Sequence, residues 1–145
     1  MSKYQDLENK VVLVTGAGSG IGQALAIRFA EQGAKVAVND IDPASASSTA
    51  QQISDLGCSA LATPGDVSNS SDVSAMFDAA ESALGNVQIL INNAGLVGPM
   101  LHFFEADESW WRKIIDVNLT GHFLCAHRAA RPMARAGSGV IINMS

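Results

Sequence analysis

The chain has 145 residues, a formal charge of −5 and a hydrophobic content of 48%. That composition suits one folded domain with a substantial core and excludes a disordered chain. The acidic balance and scattered basic residues exclude nucleic acid as the main partner; only Arg128, Arg131 and Arg135 cluster, late in one helix.

The polar N-terminus, Met1 to Asp6, precedes a short apolar run that fits neither a secretory signal nor a membrane span. Residues 10–15 predict a first strand, which runs into the turn Gly16-Ala17-Gly18-Ser19-Gly20-Ile21-Gly22 and then a helix over 20–32, closed by Gly33. A second strand over 34–39 leads to Asp40. Pro43 opens a helix that reaches Leu56, with Gly57 as its stop. A weaker strand over 59–63 ends at Pro64-Gly65-Asp66, and Ser70 or Ser71 is the expected cap of a helix to Leu84. The apolar strand over 87–91 ends at Asn92-Asn93-Ala94-Gly95. The loop over 96–104 is expected to line a substrate pocket. A long helix over 107–135 follows, kinked near residues 118–121, and a last strand covers 140–143.

Strands that are apolar throughout belong in a parallel sheet covered on both faces, and alternating β and α units wind that sheet doubly. The expected fold is therefore α/β, a Rossmann-type doubly wound parallel sheet of strand order 3-2-1-4-5. Its ligand crevice should lie where strands one and four diverge. The whole chain reads as one such domain.

A strand that turns tightly into a helix aims free N–H groups and a positive dipole end at one point, where a phosphate fits. The turn is not G-x-G-x-x-G, because Ile21 and Gln23 stand where that pattern needs glycine, and no P-loop Lys follows. Its form is T-G-x-x-x-G-x-G. Asp40 lies 18 residues after Gly22, close to the offset of about 20 expected for an acid that binds an adenosine ribose. Such a carboxylate accepts from ribose hydroxyls and repels a 2′-phosphate. With no Lys or Arg at positions 41 and 42 and a neutral Ser19, NAD is favoured over NADP. Asp40 could equally cap the following turn. Asp66 could meet an adenine amino group or serve as a plain turn acid.

Thr15-Gly16-x-x-x-Gly20-Ile21-Gly22, Asp66-Val67, Asn92-Asn93-Ala94-Gly95 and Val117-Asn118-Leu119-Thr120-Gly121 together resemble the classical short-chain dehydrogenase/reductase family, in its N-terminal cofactor-binding part. The resemblance implies a nicotinamide cofactor and hydride exchange between a secondary alcohol and a ketone. It assigns cofactor contacts to Gly16, Gly18, Ser19, Gly20, Ile21, Gly22, Asp40, Ile41, Asp66, Val67, Asn93, Ala94 and Gly95. It also assigns Asn118 to a catalytic tetrad, through a backbone carbonyl that holds a proton-relay water. Homo-oligomers and a cytoplasmic location are expected, with no membrane partner.

The chain also departs from that family. Hydride transfer needs a general acid/base at the carbinol oxygen, which the family supplies with a Tyr tuned by a Lys four residues later, beside a substrate-orienting Ser. The single Tyr here is Tyr4, no Y-x-x-x-K occurs, and Ser145 matches only the first Ser of the family's Asn-x-Ser-Ser run. The expectation is a cofactor-binding part truncated after strand five and inactive alone; a nucleotide-binding or interaction module without redox chemistry is the alternative. His102, His122 and His127 lack metal-ligand spacing, so no metal is expected. Cys58 and Cys125 also lack it and are expected as small buried apolar side chains in a reducing compartment. Trp110, Trp111 and Phe123 are expected to pack the long helix onto the sheet or a partner.

Overall fold

The computed structural model describes residues 4–98 and 102–145. The tail residues Met1 to Lys3, and Pro99 to Leu101 in the loop expected to line a substrate pocket, lie outside the described residues. Five strands, β1 (Val11–Val14), β2 (Lys35–Val38), β3 (Ala60–Ala62), β4 (Ile89–Asn92) and β5 (Val140–Asn143), form one sheet in the order β3-β2-β1-β4-β5. All four pairings are parallel, in register Val12↔Val36, Val12↔Ile89, Val36↔Ala60 and Ile89↔Val140. The order is the expected one. It brings the C-terminal ends of β1 and β4 side by side while their outgoing connections leave toward opposite faces.

Helices α1 (Gly20–Glu31), α2 (Pro43–Asp55), α3 (Ser70–Leu84), α4 (Glu108–Ile115) and α5 (Gly121–Ala136) alternate with the strands. Because side chains alternate along a strand, β1 splits the interior in two. Val12 and Val14 join Ala26, Ala30, Val36, Val38, Ala46 and Ile53 on the side of α1 and α2. Val11 and Leu13 join Met76, Phe77, Ala80, Leu90, Cys125 and Ala129 on the side of α3 and α5. The small residues Ala46, Thr49 and Ala50 are buried, which lets α2 lie close to the sheet as expected.

Local signals decide the helix ends. Asp42 caps α2 through the N–H groups of Ala44 (3.1 Å) and Ser45 (3.3 Å), with Pro43 in the first turn. The Ser45 hydroxyl and then the Ala44 N–H hold the Asp42 carboxyl below its ordinary value of 3.8. A lowered folded pKa makes this cap stabilising above the unfolded value, a contribution lost as pH falls through the folded one. The cap of α3 is Asn69, not Ser70 or Ser71: its Oδ1 accepts from Ser71 N–H at 2.9 Å and Asp72 N–H at 3.3 Å. An Asn carbonyl held one residue earlier satisfies the same orphan donors.

The single kinked helix expected over 107–135 is two α-helices joined by a π-helical turn, Asp116–Thr120, in which Gly121 N–H bonds Asp116 O. Arg128 ties α5 to α3, donating to Asp78 (2.9 Å) and Glu81 (2.6 Å) with its guanidinium 5.2 Å above the Phe77 ring. At the sheet edge, Ile141 packs on the α3–α5 core, but Val140 and Ile142 face the other way and are 50% and 42% exposed. An edge strand with one apolar face uncovered follows from the absence, among the described residues, of any helix on that side of β5. Trp111 and Phe123, expected against the sheet or a partner, are mostly exposed. Trp110 packs instead against Gly98, whose Cα lies so close that an added Cβ would fall 2.5 Å from the indole Nε1.

Cys125 is fully buried, and burial alone pushes its thiol up to about 12, whereas Cys58 is half-buried. Since the thiolate is the reactive form, a disulfide reagent at pH 8 should label one thiol of the folded 145-residue chain quickly and the second only after denaturation. Rapid labelling of both would contradict the packing of α5 on α3.

Candidate nucleotide-binding cleft

The site begins with how β1 and β4 are joined. Thr15 Oγ1, at the end of β1, accepts the backbone N–H groups of both Asn93 and Ala94 at 3.0 Å. Asn93 Nδ2 returns two bonds, to Thr15 O at 3.0 Å and Gly16 O at 3.2 Å. The buried polar ends of two strands are thereby satisfied without bulk in the crevice between them. Gly22 is part of the same knot: an added Cβ would overlap Gly16 O and sit 2.5 Å from Asn93 Nδ2. Gly20, by contrast, has φ +57° but open space around it.

At the start of α1 the cap residue Ser19 makes no side-chain bond, and the first turn carries no acidic residue. The first backbone bond into the helix is from Gln23 N–H to Ser19 O at 3.1 Å, so among the described residues the N–H groups of Gly20, Ile21 and Gly22 stay available for an anion, while that of Gly18 goes to Asp40. These residues, Gly18 to Gly22, form one rim.

A cleft of about 640 Å³ lies beside that rim, lined by Gly16, Asp40, Ile41, Asp66, Val67, Ala94, Gly95 and Leu96 from the strand ends, and by Arg112, Lys113, Asp116 and Val117 from α4 and the π turn. That volume matches a small-molecule site rather than an ion site. Seven of the residues expected at the site thus line one cleft. Asn93 sits behind it, in the β1–β4 knot, and Asn118 sits behind Gly95.

Asp40 Oδ2 accepts Gly18 N–H at 2.9 Å and Oδ1 accepts Asp42 N–H at 3.0 Å. It therefore shapes the glycine turn and the start of α2, and still has lone pairs to offer a hydroxyl. Asp66 uses Oδ1 to accept from Ser68 N–H (2.8 Å) and Ser68 Oγ (2.7 Å), which leaves Oδ2 free among the described residues. Ile41 is 68% exposed where it lines the cleft, an apolar side chain that a flat base could cover. Asn118 closes two bonds on one residue, accepting Leu96 N–H at 2.7 Å and donating to Leu96 O at 2.9 Å. A π turn at a functional position is a recurring device, because its wider ring leaves backbone carbonyls less fully paired.

The remaining candidates stand apart. Tyr4 is 69% exposed and its N–H bonds Gln32 Oε1 at the far end of α1, the end of the sheet opposite the cleft. Of the described loop residues over 96–104, Leu96 alone lines the cleft, while Val97, Phe103 and Phe104 are almost fully exposed. No group of three potential metal ligands occurs among the described residues. Sequence reasoning missed Thr15 Oγ1 and His122, whose Nε2 lies 3.1 Å from Ala94 O and holds the turn after β4. Thr15 stands in the T-G-x-x-x-G-x-G pattern, but its tie to Asn93 and Ala94 has no local signal, and neither has the bond of His122, since each acts on a partner far away in the chain. Arg112 and Lys113 were also missed, being 72 and more positions from Asp40.

The doubly wound sheet, the cleft at its divergence point and the glycine turn define a Rossmann-type α/β protein. Residues 10–145 match the family model for short chain dehydrogenases, and the chain belongs to that family. It is 40% identical over 136 residues to the cis-4-hydroxycyclohexanecarboxylate dehydrogenase of Sinomonas cyclohexanicum, covering 94% of this chain and 54% of the relative. Similarity extends to an uncharacterized oxidoreductase of Thermotoga maritima, 41% identical over 97% of this chain and 55% of the relative. A cyclohexanol dehydrogenase of an Acinetobacter species is 38% identical over 93% and 54%. The chain spans about half the length of these relatives. Among the described residues no helix is long and apolar enough to cross a membrane.

Gly22→Ala should abolish the knot between β1 and β4, because its overlap is with backbone; Gly20→Ala should cost only about 1–2 kcal/mol of left-handed strain. Thr15→Val strands two N–H donors, at about 1–3 kcal/mol each. Thermal melts should therefore rank Gly20→Ala well above Gly22→Ala, and the reverse order would refute this account of the turn.

Proposed function

We propose that the cleft binds the adenosine half of a nicotinamide dinucleotide, NAD in preference to NADP, and that the protein exchanges hydride between a secondary alcohol and a ketone. The observation that carries this reading is the free N-terminus of α1 beside a cleft that holds Asp40, Ile41, Asp66 and Val67 together. In it Gly18, Ser19, Gly20, Ile21 and Gly22 would hold the pyrophosphate. Asp40 would accept from the ribose hydroxyls, Asp66 Oδ2 would accept from the adenine amino group, and Ile41 and Val67 would cover the base. Bound there, the dinucleotide supplies the hydride acceptor or donor. Asn93, Ala94 and Gly95 would hold the cofactor at the β4 end, and Asn118, bonded to Leu96, would hold the π turn whose backbone carbonyl would accept from a relay water. Alcohols and ketones are the substrates in this reading, in keeping with the dehydrogenase names of two relatives.

Among the described residues no Tyr lines the cleft, so the 145-residue chain alone lacks there the acid/base that the family resemblance calls for. It binds cofactor without turning substrate over. The exposed Leu119, Phe123, Val140 and Ile142 support self-association, and two free cysteines support a cytoplasmic location.

Titration of the purified protein by NADH and NADPH fluorescence tests the nucleotide preference. NADH should bind about tenfold more tightly, a difference of about 1.4 kcal/mol, and Asp40→Ser should close most of that gap. Equal affinities in the unaltered protein would remove the role given to Asp40. Separately, the mass-verified 145-residue chain should produce no NADH from cyclohexanol; turnover would overturn its predicted inactivity.

A further inference from the structure

The charges around the cleft are uneven. Asp40, Asp66 and Asp116 all line it, and among the described residues none of the three has a cation within ion-pair distance. Two cations line it from the last turn of α4, the same wall that Asp116 belongs to. Arg112 is already committed: its Nε and Nη2 donate to Glu108 Oε1 at 2.8 and 2.6 Å, one helical turn back. The Lys113 ammonium makes no hydrogen bond or ion pair among the described residues, and the residue is exposed at the cleft wall. A ligand carrying phosphates meets three carboxylates and one uncompensated ammonium.

Resting on the nucleotide reading above, we propose that Lys113 is a specificity-determining residue of this cleft. It offsets the three carboxylates so that an anionic adenosine nucleotide can enter, and its effect grows with the phosphate charge of the ligand. An ammonium on a flexible stem suits this task, since it acts as a point charge and needs no fixed partner geometry. Because the group is exposed and unpartnered, replacing it removes charge from the cleft without taking a bond from the fold.

The test is binding to the purified protein with Lys113→Gln, Lys113→Glu and Lys113→Arg variants. NADH is read by fluorescence, and adenosine, 5′-AMP and 2′,5′-ADP by displacement of NADH. A single charge acting through solvent at cleft distances predicts about a fivefold loss of NADH affinity in Lys113→Gln, and more in Lys113→Glu. The loss for 2′,5′-ADP should exceed that for 5′-AMP, adenosine should change less than twofold, and Lys113→Arg should restore binding. The slope of NADH affinity against salt should also flatten in Lys113→Gln. Unchanged NADH affinity in Lys113→Glu overturns the proposal while leaving the nucleotide reading intact. Equal losses for adenosine and 2′,5′-ADP also overturn it, since they would mark a shape effect. Absence of saturable NADH binding by the unaltered protein overturns the nucleotide reading, and this proposal with it.

Discussion

Two strand ends must stay close while the segments leaving them diverge, and the rest of the structure depends on that constraint. At β1 and β4 it is met by Thr15 and Asn93, whose side chains exchange hydrogen bonds with each other's backbone at 3.0 to 3.2 Å. Buried N–H and C=O groups left open there would be costly, and larger side chains satisfying them would fill the crevice. The solution uses one hydroxyl and one amide behind the sheet end and keeps glycine where the helix passes. This knot sets the position of the α1 N-terminus, the opening of the cleft and the path of the chain through Ala94 and Gly95. His122 and Asn118 then hold the outgoing segment from the other side, at Ala94 O and at both backbone groups of Leu96.

Charge divides the site into two parts with different demands. The α1 rim offers backbone donors and no acidic side chain in its first turn, so it attracts anions through fixed dipoles. The cleft beside it is lined by three carboxylates, two of which also shape the backbone. Asp40 fastens the glycine turn to the start of α2, and Asp66 folds the turn after β3 around Ser68. The capping and ligand-binding readings of Asp40 are therefore compatible, because a carboxylate has more acceptor sites than the two N–H groups consume. The same acids that shape the loops set the field inside the cleft, and the cations of α4 touch none of them.

Much of this was legible in sequence. Apolar strand runs, Pro43, and the stops at Gly33 and Gly57 marked the element order, since each signal acts over a few residues. Spacing from Thr15 to Gly22, with Asp66, Asn93 and Asn118 downstream, pointed to the family that residues 10–145 match. The misplaced features were those that depend on packing. The cap of α3 fell one residue early at Asn69, the kink took the form of a π turn, and of the two places expected for Trp111 and Phe123 the sheet is not theirs. Aromatic content marks a residue that can be buried; only its neighbours decide whether it is.

Sequence by itself determined the succession of strands and helices and the glycine turn, because local propensity and turn chemistry need no third dimension. Tertiary structure alone decided which groups share the cleft. It placed Lys113 and Asp116 opposite Asp40 and Asp66, pinned the Asn118 amide to Leu96, and sent Tyr4 to the far end of the sheet. These are meetings between residues tens of positions apart, fixed by parallel pairing and helix packing, and no local pattern encodes them.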